Sequence, residues 1–323
     1  MKKIIFVFLS IILVYSYYSK KNTSQELETI NTKLVSNSIS VNSNINIDNF
    51  KNIKIGDKKS DVISNLGDPS RIDYSEYNFK WYVYNEDLNK FAMVGIEDAN
   101  VVPLKSNCIN SNEIDINLGS NRDFVRNKYS PLEYKKKGNT RYVINSDNQY
   151  DIFDIEKNYV TVFYDIYEDN KVCGYQIISK NAELKLNGIY SKGSDELQES
   201  FEAQTKDLVN TERIKNNLNI LSYSKEATNS SRKHSEDMMI KNYFDHTNKE
   251  NKSPFDRMEV EGIDYKNAGE NIAAGQSSAI YAHHAWMNSL GHRKNILGDY
   301  KYIGVGVIFG GYYNIYYTQN FYT

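Results

Sequence analysis

The pattern of hydrophobic and polar residues changes from one segment of the chain to the next, and the N-terminal segment is the most apolar. Residues 4–18 form a nearly uninterrupted apolar run with lysines on both sides. This arrangement is typical of an export signal, and the run is shorter than the roughly 20 apolar residues that a membrane-spanning helix needs. We therefore predict that residues 1–19 are a signal peptide. Because Tyr17 and Tyr18 make a poor cleavage site, the alternative is an N-terminal anchor that meets the membrane only through residues 4–18.

The following segment, residues 20–49, is polar and contains no aromatic residue. It consists mainly of Asn, Ser, Thr and Lys, and its isolated Ile and Val positions show no sustained period. Such a stretch cannot bury a core of its own. We predict that it is a flexible linker between the N-terminal segment and the folded part of the chain.

From residue 50 onwards, strand and helix signals alternate and then return in the same order. Gly56 and Gly119 each precede a predicted helix at the same spacing, and a pair of acidic residues precedes both Val101 and Val172. A pattern that returns in this way indicates an internal repeat. Residues 50–190 are therefore predicted to be an α+β domain of two degenerate repeats, in which each copy buries the apolar face of the other.

This repeat domain carries no group of residues that resembles a catalytic site. It has no histidine, its carboxylates are scattered, and Trp81 reads as a core residue, so we expect a binding or spacing role. The two cysteines, Cys108 and Cys173, are an even pair in a chain that carries an export signal, which permits a disulfide. They do not occupy equivalent places in the repeat, so two unpaired thiols remain the alternative.

A polar break at residues 191–195 separates this domain from a C-terminal segment with longer helical periods. Ala227, Ser231, His234 and Met238 recur at steps of three and four residues, which predicts one buried helix face. We expect mild proteolysis to cut at residues 191–195 and within the linker, leaving two resistant fragments. The predicted elements are helices over 196–218, 224–242 and 277–288 and a C-terminal hairpin over 303–321.

Seven short blocks in the C-terminal segment carry a family resemblance. In chain order they are Leu208-Val209-Asn210 with Arg213, His234-Ser235 with Asp237-Met238, Tyr243-Phe244 with His246, Ser253-Pro254 with Arg257, Gly269-Glu270-Asn271-Ile272-Ala273, Trp286 to Leu297, and Ile303-Gly304-Val305-Gly306-Val307. Residues 196–323 thus resemble the bacterial form of the CAP domain, the family of cysteine-rich secretory proteins, antigen 5 and pathogenesis-related 1. Residues 50–190 more distantly resemble the CAP-associated N-terminal domain. The resemblance implies an α+β chain whose C-terminal domain is a three-layer α-β-α sandwich.

The resemblance also implies a cleft in which two histidines meet acidic side chains. His246, Glu270 and His292 match the cleft residues of the family, and Asn271 adjoins them. Two imidazoles and one carboxylate form an incomplete set for zinc, which takes three or four ligands. No cofactor is certain, and zinc or another divalent cation held by His246, Glu270 and His292 is one hypothesis. The other is a hydrogen-bonded cleft in which Glu270 and Asn271 secure loops.

Several features of the C-terminal segment argue against catalysis. The second cleft glutamate of the family would fall near Asn288 and Ser289, so one carboxylate is missing. Ser235 follows His234 directly, but adjacent residues on a helix do not face each other. We assign His234 and Trp286 to the core, and Arg213, Asp237 and Arg257 to the polar anchors of the fold. His283 stands where we expect an apolar residue.

Composition narrows the class of partner. The chain of 323 residues has 39 basic and 41 acidic side chains and a net charge of −2. It therefore lacks the excess of positive charge that is typical of proteins that bind nucleic acid. Its 27 tyrosines accompany an excess of Asn, Lys and Ile, so codon bias explains them and they carry no functional weight.

Together these observations favour an extracellular or cell-surface bacterial protein that binds a ligand or divalent ion in the cell envelope. Its partner would be a cell-wall or lipid component. The alternative is a metal-dependent hydrolase that acts on an envelope polymer or peptide, and a third possibility is a structural surface protein with an unused cleft.

Overall fold

The computed structural model describes the backbone of residues 4–5, 12–17 and 47–323, and the side chains of residues 47–323. The predicted signal or anchor segment, residues 1–19, lies outside the described residues except for two short strands. The predicted linker, residues 20–49, lies outside them except for its last three positions. No helix in the described ranges is both long and apolar enough to cross a membrane.

Helices and strands are mixed along the whole chain, and their labels increase from the N-terminus. The helices are α1 (Lys59–Leu66), α2 (Arg122–Lys128), α3 (Lys180–Lys185), α4 (Asp195–Lys215), α5 (Lys225–Ile240), α6 (Pro254–Val260), α7 (Ala279–Met287) and α8 (Leu290–Ile296), with short 3-10 helices at Ile47–Asn52 and Leu88–Lys90. The strands are β1 (Ile4–Ile5), β2 (Ile12–Tyr17), β3 (Arg71–Tyr74), β4 (Lys80–Tyr84), β5 (Ala92–Glu97), β6 (Asn100–Ser106), β7 (Tyr134–Lys137), β8 (Thr140–Val143), β9 (Tyr150–Ile155), β10 (Asn158–Asp165), β11 (Lys171–Ser179), β12 (Ser222–Tyr223), β13 (Ala268–Ala274), β14 (Tyr302–Phe309) and β15 (Ile315–Tyr322).

The N-terminal half is built on one antiparallel sheet in the order β3-β4-β5-β6-β11-β10-β9. The two predicted copies meet where β6 pairs with β11. In the first copy the backbone N–H of Gly56 donates to Val101 O at 2.9 Å, and in the second that of Gly119 donates to Val172 O at 2.8 Å. Both glycines have positive φ, 97° and 83°, which a side chain would disfavour. These matching contacts support the two-repeat interpretation.

The C-terminal half is a sheet between two layers of helices. Its strand order is β12-β14-β15-β13-β2, and alternate residues of β13 face opposite layers. Ala273 packs in the cluster formed with α4, α7 and α8, whereas its neighbours Ile272 and Ala274 pack with Met238 of α5. This alternation follows from the two-residue period of a strand and produces the expected α-β-α sandwich.

Helix α5 lies directly against the sheet through the face predicted from its spacing. Ala227, Ser231, His234 and Met238 are all fully buried. The helix approaches so closely because Gly306 of β14 has no side chain: a Cβ there would overlap the α5 backbone. The hydroxyl of Ser231 also donates to the carbonyl oxygen of Gly304, which lies in the same strand β14, at 3.2 Å.

The two halves share an apolar cluster instead of meeting only through the connecting segment. Trp81 and Phe163 from the N-terminal half pack with Leu208 and Ile280 from the C-terminal half. Trp81 is fully buried there, so its assignment to the core is confirmed. The interface explains why both halves have apolar residues beyond those that their own cores need.

Polar contacts also cross the boundary between the halves. Arg71 donates to Asp207 at 2.7 Å, and the Ser200 hydroxyl accepts from a backbone N–H of β3 at 2.9 Å. Cys108 and Cys173 lie near this interface as unpaired thiols. The disulfide that the sequence permitted is therefore not formed in this structure.

Candidate functional site

The residues predicted to form the cleft lie on different elements of the C-terminal half. His246 lies in the loop between α5 and α6, Glu270 and Asn271 lie in β13, and His292 lies in α8. All of them are buried. We call this group of side chains the cleft.

Glu270 is the centre of a buried hydrogen-bond network. Its Oε1 lies 2.9 Å from His246 Nδ1, and its Oε2 accepts from Arg257 at 2.7 Å. Burial alone would raise the pKa of this carboxyl, but the Arg257 charge, the nearby His234 and the hydrogen bond from His246 lower the pKa to about 2. Glu270 is therefore ionised at neutral pH, and His246 Nδ1 must be the donor because a carboxylate only accepts.

Helix α6 positions the arginine of this network. It begins with a capping box in which Ser253 and Asp256 satisfy each other's backbone N–H groups. Arg257, in the first turn, donates to the backbone oxygen of His246 at 2.7 Å as well as to Glu270. Arg257 thus fixes the histidine loop and the carboxylate together, a role that the sequence interpretation of a simple polar anchor missed.

His234 packs directly behind the carboxylate. Its Nε2 lies 3.0 Å from the backbone oxygen of Asp245 and 3.9 Å from Glu270 Oε1. Burial lowers the pKa of His234 to about 4, so the ring is neutral at pH 7 and donates to the carbonyl oxygen. The assignment of His234 to the core is confirmed, but its short distance from Glu270 was not predictable from the helix spacing.

His292 is held by a second set of contacts. Its Nδ1 lies 2.7 Å from the Ser289 hydroxyl, and its backbone oxygen accepts from Asn271 at 3.2 Å. Asn295 donates both to the Asn271 side-chain oxygen at 2.8 Å and to the Glu270 backbone oxygen at 3.1 Å. The amides of Asn271 and Asn295 therefore tie α8, which carries His292, to β13, which carries Glu270.

Asn288 and Ser289, which stand where a second cleft glutamate was expected, make other contacts in this chain. Ser289 contacts His292, as described above. The Asn288 side chain turns to the N-terminal half, where it donates to Tyr164 O at 2.8 Å and accepts from the Ile166 N–H at 3.0 Å. The two residues thus orient a cleft histidine and join the two halves.

The cleft as arranged does not fit a resident metal ion. Both carboxylate oxygens of Glu270 are engaged, and the Arg257 guanidinium 2.7 Å away opposes a further cation. Within residues 47–323, no group of three or more His, Cys, Asp or Glu side chains is placed to hold a metal ion. His283, the histidine at the expected apolar position, is fully buried elsewhere, and burial followed by the Lys105 charge lowers its pKa to about 3.

The remaining predicted anchors connect elements of the fold. Arg213 donates to Asn219 O at 2.7 Å and to the backbone oxygens of Ile296 and Gly298, at and just beyond the end of α8. Asp237 accepts from the Tyr243 hydroxyl at 2.5 Å and pairs with Lys241. Trp286 is buried and donates to a β13 carbonyl oxygen, as expected of a core residue.

Comparison with known families matches both halves of the chain. Residues 55–190 match the CAP-associated N-terminal family, and residues 206–321 match the cysteine-rich secretory protein family. The uncharacterized membrane protein YlbC of Bacillus subtilis (strain 168) is 32% identical over 289 residues, 83% of this chain and 82% of that protein. The uncharacterized protein YkwD of the same strain is 47% identical over 113 residues, 35% of this chain and 44% of that protein.

A solved structure resembles nearly the whole fold. It is described as an extracellular protein containing a SCP domain from Bacillus anthracis str. Ames, and it aligns with a TM-score of 0.71 at 25% identity. The alignment covers 91% of this chain and 99% of that one. The two-part architecture is therefore shared with another bacterial protein.

Proposed function

Because the chain belongs to the bacterial cysteine-rich secretory protein, or CAP, family and carries a CAP-associated N-terminal domain, we propose that it is a secreted or surface-held envelope protein whose cleft binds a ligand. The N-terminal half would hold the cleft domain in a fixed orientation. The apolar run at residues 4–18 and its flanking lysines support delivery to the outside of the cell.

The observation that carries the proposal is the buried polar cluster around Glu270. Its side chains come from a loop, a strand and three helices, and Glu270 and His292 are fully buried. A buried ion pair is weak evidence for stability, since well-packed apolar residues of similar volume often serve a fold as well or better. Perturbed carboxylates of this kind concentrate at functional sites, which supports a binding role for the cleft.

The chemistry of the cleft suits a ligand with polar hydrogens. Because Glu270 holds a proton of His246 on Nδ1, the neutral form of the ring has its lone pair on Nε2, which is then its accepting edge. Peptide amides and sugar hydroxyls of the cell wall are donors of this kind. A cell-wall fragment is therefore the ligand class that we favour, with a lipid component as the alternative.

Hydrolysis of an envelope polymer or peptide is the second candidate. The observation in its favour is the His246–Glu270 pair, in which a carboxylate orients an imidazole as it does for many general bases. The missing second carboxylate counts against it, because Asn288 and Ser289 are engaged in other contacts.

Export has support from the relatives. One is named a membrane protein and another is described as extracellular. These descriptions agree with either a cleaved signal peptide or a retained anchor at residues 1–19. Fractionation that left the full chain in the cytosol would contradict the proposed location.

Calorimetry with the soluble stem peptides of Bacillus cell walls, which carry no sugar ring, tests the binding proposal. We expect saturable heats with the wild type and a loss of at least tenfold in affinity with the His246→Ala, His292→Ala double variant. A His283→Leu variant is the control, because that histidine is buried outside the cleft. Equal binding by the wild type and the double variant, with both folded, would place the ligand elsewhere.

A zinc titration on the same proteins separates the metal hypothesis from ligand binding. Any zinc held by the two imidazoles should bind weakly, because both oxygens of Glu270 are already engaged and the Arg257 guanidinium opposes a further cation. Zinc-dependent degradation of peptidoglycan or casein would favour the hydrolase. If the double variant binds zinc as well as the parent does, the ions lie outside the cleft.

A further inference from the structure

A cavity lies between the two halves, and none of the cleft residues lines it. It has a volume of about 150 Å³. Tyr142 and Tyr150 line it from the N-terminal half, and Gln276, Tyr281 and His284 line it from the C-terminal half. A protein cavity of about this volume holds a molecule the size of benzene. The space therefore encloses a group about the size of one six-membered ring, and the remainder of a larger ligand would lie outside it.

Aromatic side chains form a fixed wall on one side of this interdomain pocket. Tyr281 packs edge-on against Tyr150, with ring centroids 5.2 Å apart, and against Phe163 at 5.3 Å. The Tyr281 hydroxyl also lies 3.2 Å from the Thr161 hydroxyl, which fixes the ring from the opposite domain. A ligand that enters the pocket thus meets a wall that is already ordered, so binding costs little side-chain entropy.

The polar side chains of the pocket lack protein partners. Among residues 47–323, neither the nitrogen nor the oxygen of the Gln276 side-chain amide has a hydrogen-bond partner, although the residue is only 6% exposed. His284 is 3% exposed, its Nδ1 lies 3.6 Å from Cys173 Sγ, and its Nε2 likewise has no partner within that range. Most buried polar groups in native proteins are paired, so these exceptions need an explanation.

A ligand with both donors and acceptors would satisfy these groups. An acetamido group offers one N–H and one C=O, which are complementary to the two unpaired atoms of the Gln276 amide. A hydroxyl both donates and accepts, so it can pair with either neutral tautomer of His284. A purely aromatic ring would fill the same space but leave Gln276 unpaired.

The charge of the pocket points to an uncharged ligand. Lys135, Lys137 and Asp147 line the pocket, so its rim carries both signs of charge, and the two lysines pair with the buried carboxylate of Glu183. Burial and the Lys105 charge hold the pKa of His284 well below its usual value, so its ring is neutral at pH 7. From the size, the aromatic wall and the unpaired amide, we infer that the interdomain pocket binds one ring of an N-acetylated sugar.

A titration with N-acetylglucosamine, followed by calorimetry or saturation-transfer NMR, tests this inference. The wild type should bind it saturably and bind glucose at least tenfold more weakly, since glucose lacks the acetamido group. Gln276→Leu should lose at least tenfold in affinity without losing thermal stability, because it removes an unpaired buried amide. Tyr142→Ala, at the half-buried edge of the pocket, should weaken binding several-fold.

A matched control separates the pocket from general effects of core substitution. Gln176 is also buried, with an amide nitrogen that has no partner in the described ranges, but it does not line the pocket. Gln176→Leu and the His246→Ala, His292→Ala double variant should both bind the sugar as the wild type does. No saturable binding by the wild type, or equal binding by Gln276→Leu, would overturn the inference. Equal affinity for glucose would overturn the role of the amide.

Discussion

Replacing Glu270 by glutamine should destabilise the protein in a way that depends on pH. The substitution keeps the shape of the side chain and removes its charge. Arg257 would then be left in a nearly buried site without its counter-charge, since its guanidinium donates to Glu270 at 2.7 Å. The carboxylate that holds the proton of His246 on Nδ1 would also be lost.

The magnitude follows from the pKa of Glu270. Its folded-state pKa of about 2 lies below the ordinary value of 4.5, a difference of 4.5 − 2, or about 2.5 units. At about 1.4 kcal/mol per unit, this corresponds to about 3 kcal/mol of stability at pH 7. Removing one partner of a buried ion pair costs a similar amount, roughly 3–5 kcal/mol.

The sign of the pH dependence is fixed by the direction of the shift. A depressed folded-state pKa means that the stabilisation is present above pH 4.5 and is lost as the pH falls towards 2. Urea unfolding of wild type and Glu270→Gln should therefore differ by about 3 kcal/mol at pH 7 and by about 1 kcal/mol at pH 3. The denaturant slope should be the same for both proteins, which shows that the same surface unfolds.

A second glutamate provides the control. Glu202 also accepts from an arginine, Arg232 at 2.8 Å, but burial raises its pKa above the usual value. The difference between wild type and Glu202→Gln should therefore not shrink on acidification. A Glu270→Gln effect below about 1 kcal/mol at pH 7, or one that stays constant down to pH 3, would mean that the carboxylate charge does not stabilise the network.

Further predictions concern the sheet, the domain interface and metal binding. Gly306→Ala should cost at least about 2 kcal/mol in urea unfolding, because the new Cβ would overlap the backbone of α5; an unchanged midpoint would contradict this packing. Proteolytic cleavage at residues 191–195 should yield two fragments that co-elute in gel filtration, and Asn288→Ala should weaken their association because it removes two hydrogen bonds across the interface. Separate elution of the wild-type fragments would show that the shared cluster does not hold them. If the cleft lacks a resident metal ion, dialysis against EDTA should leave the thermal midpoint unchanged, and a clear fall would reveal a structural ion.

The helix faces and the family blocks were predictable because they depend on local spacing. Ala227, Ser231, His234 and Met238 recur with the period of a helix, and all four are buried as predicted. The glycines at equivalent turns of the two repeats were predictable for the same reason, because each turn by itself requires a residue with positive φ.

Contacts that join distant segments were not predictable in the same way. Arg257 and Glu270 are separated along the chain, and nothing in the local pattern shows that the arginine reaches the carboxylate. The interdomain pocket was missed for a related reason: Tyr281 and His284 of α7 form one wall, and the other wall belongs to a different domain. The unexpected histidine pair at His283 and His284 was the available signal, because polar rings in a buried helix need an explanation.

Imidazole NMR of the five histidines during a titration with soluble muropeptides is the sharpest test of ligand binding in the cleft. The five rings lie in different places: His246 and His292 in the cleft, His234 behind Glu270, His284 in the interdomain pocket, and His283 buried beside His284. We predict saturable shifts of the His246 and His292 resonances, and of His284 as well, because the N-acetylated sugar of a muropeptide enters the interdomain pocket. The His246 and His292 shifts should be absent when N-acetylglucosamine alone is added, which should move His284 and, through the ring contact at 5.4 Å, His283. If muropeptides leave His246 and His292 unmoved, the cleft does not bind cell-wall fragments, and the proposed function is wrong.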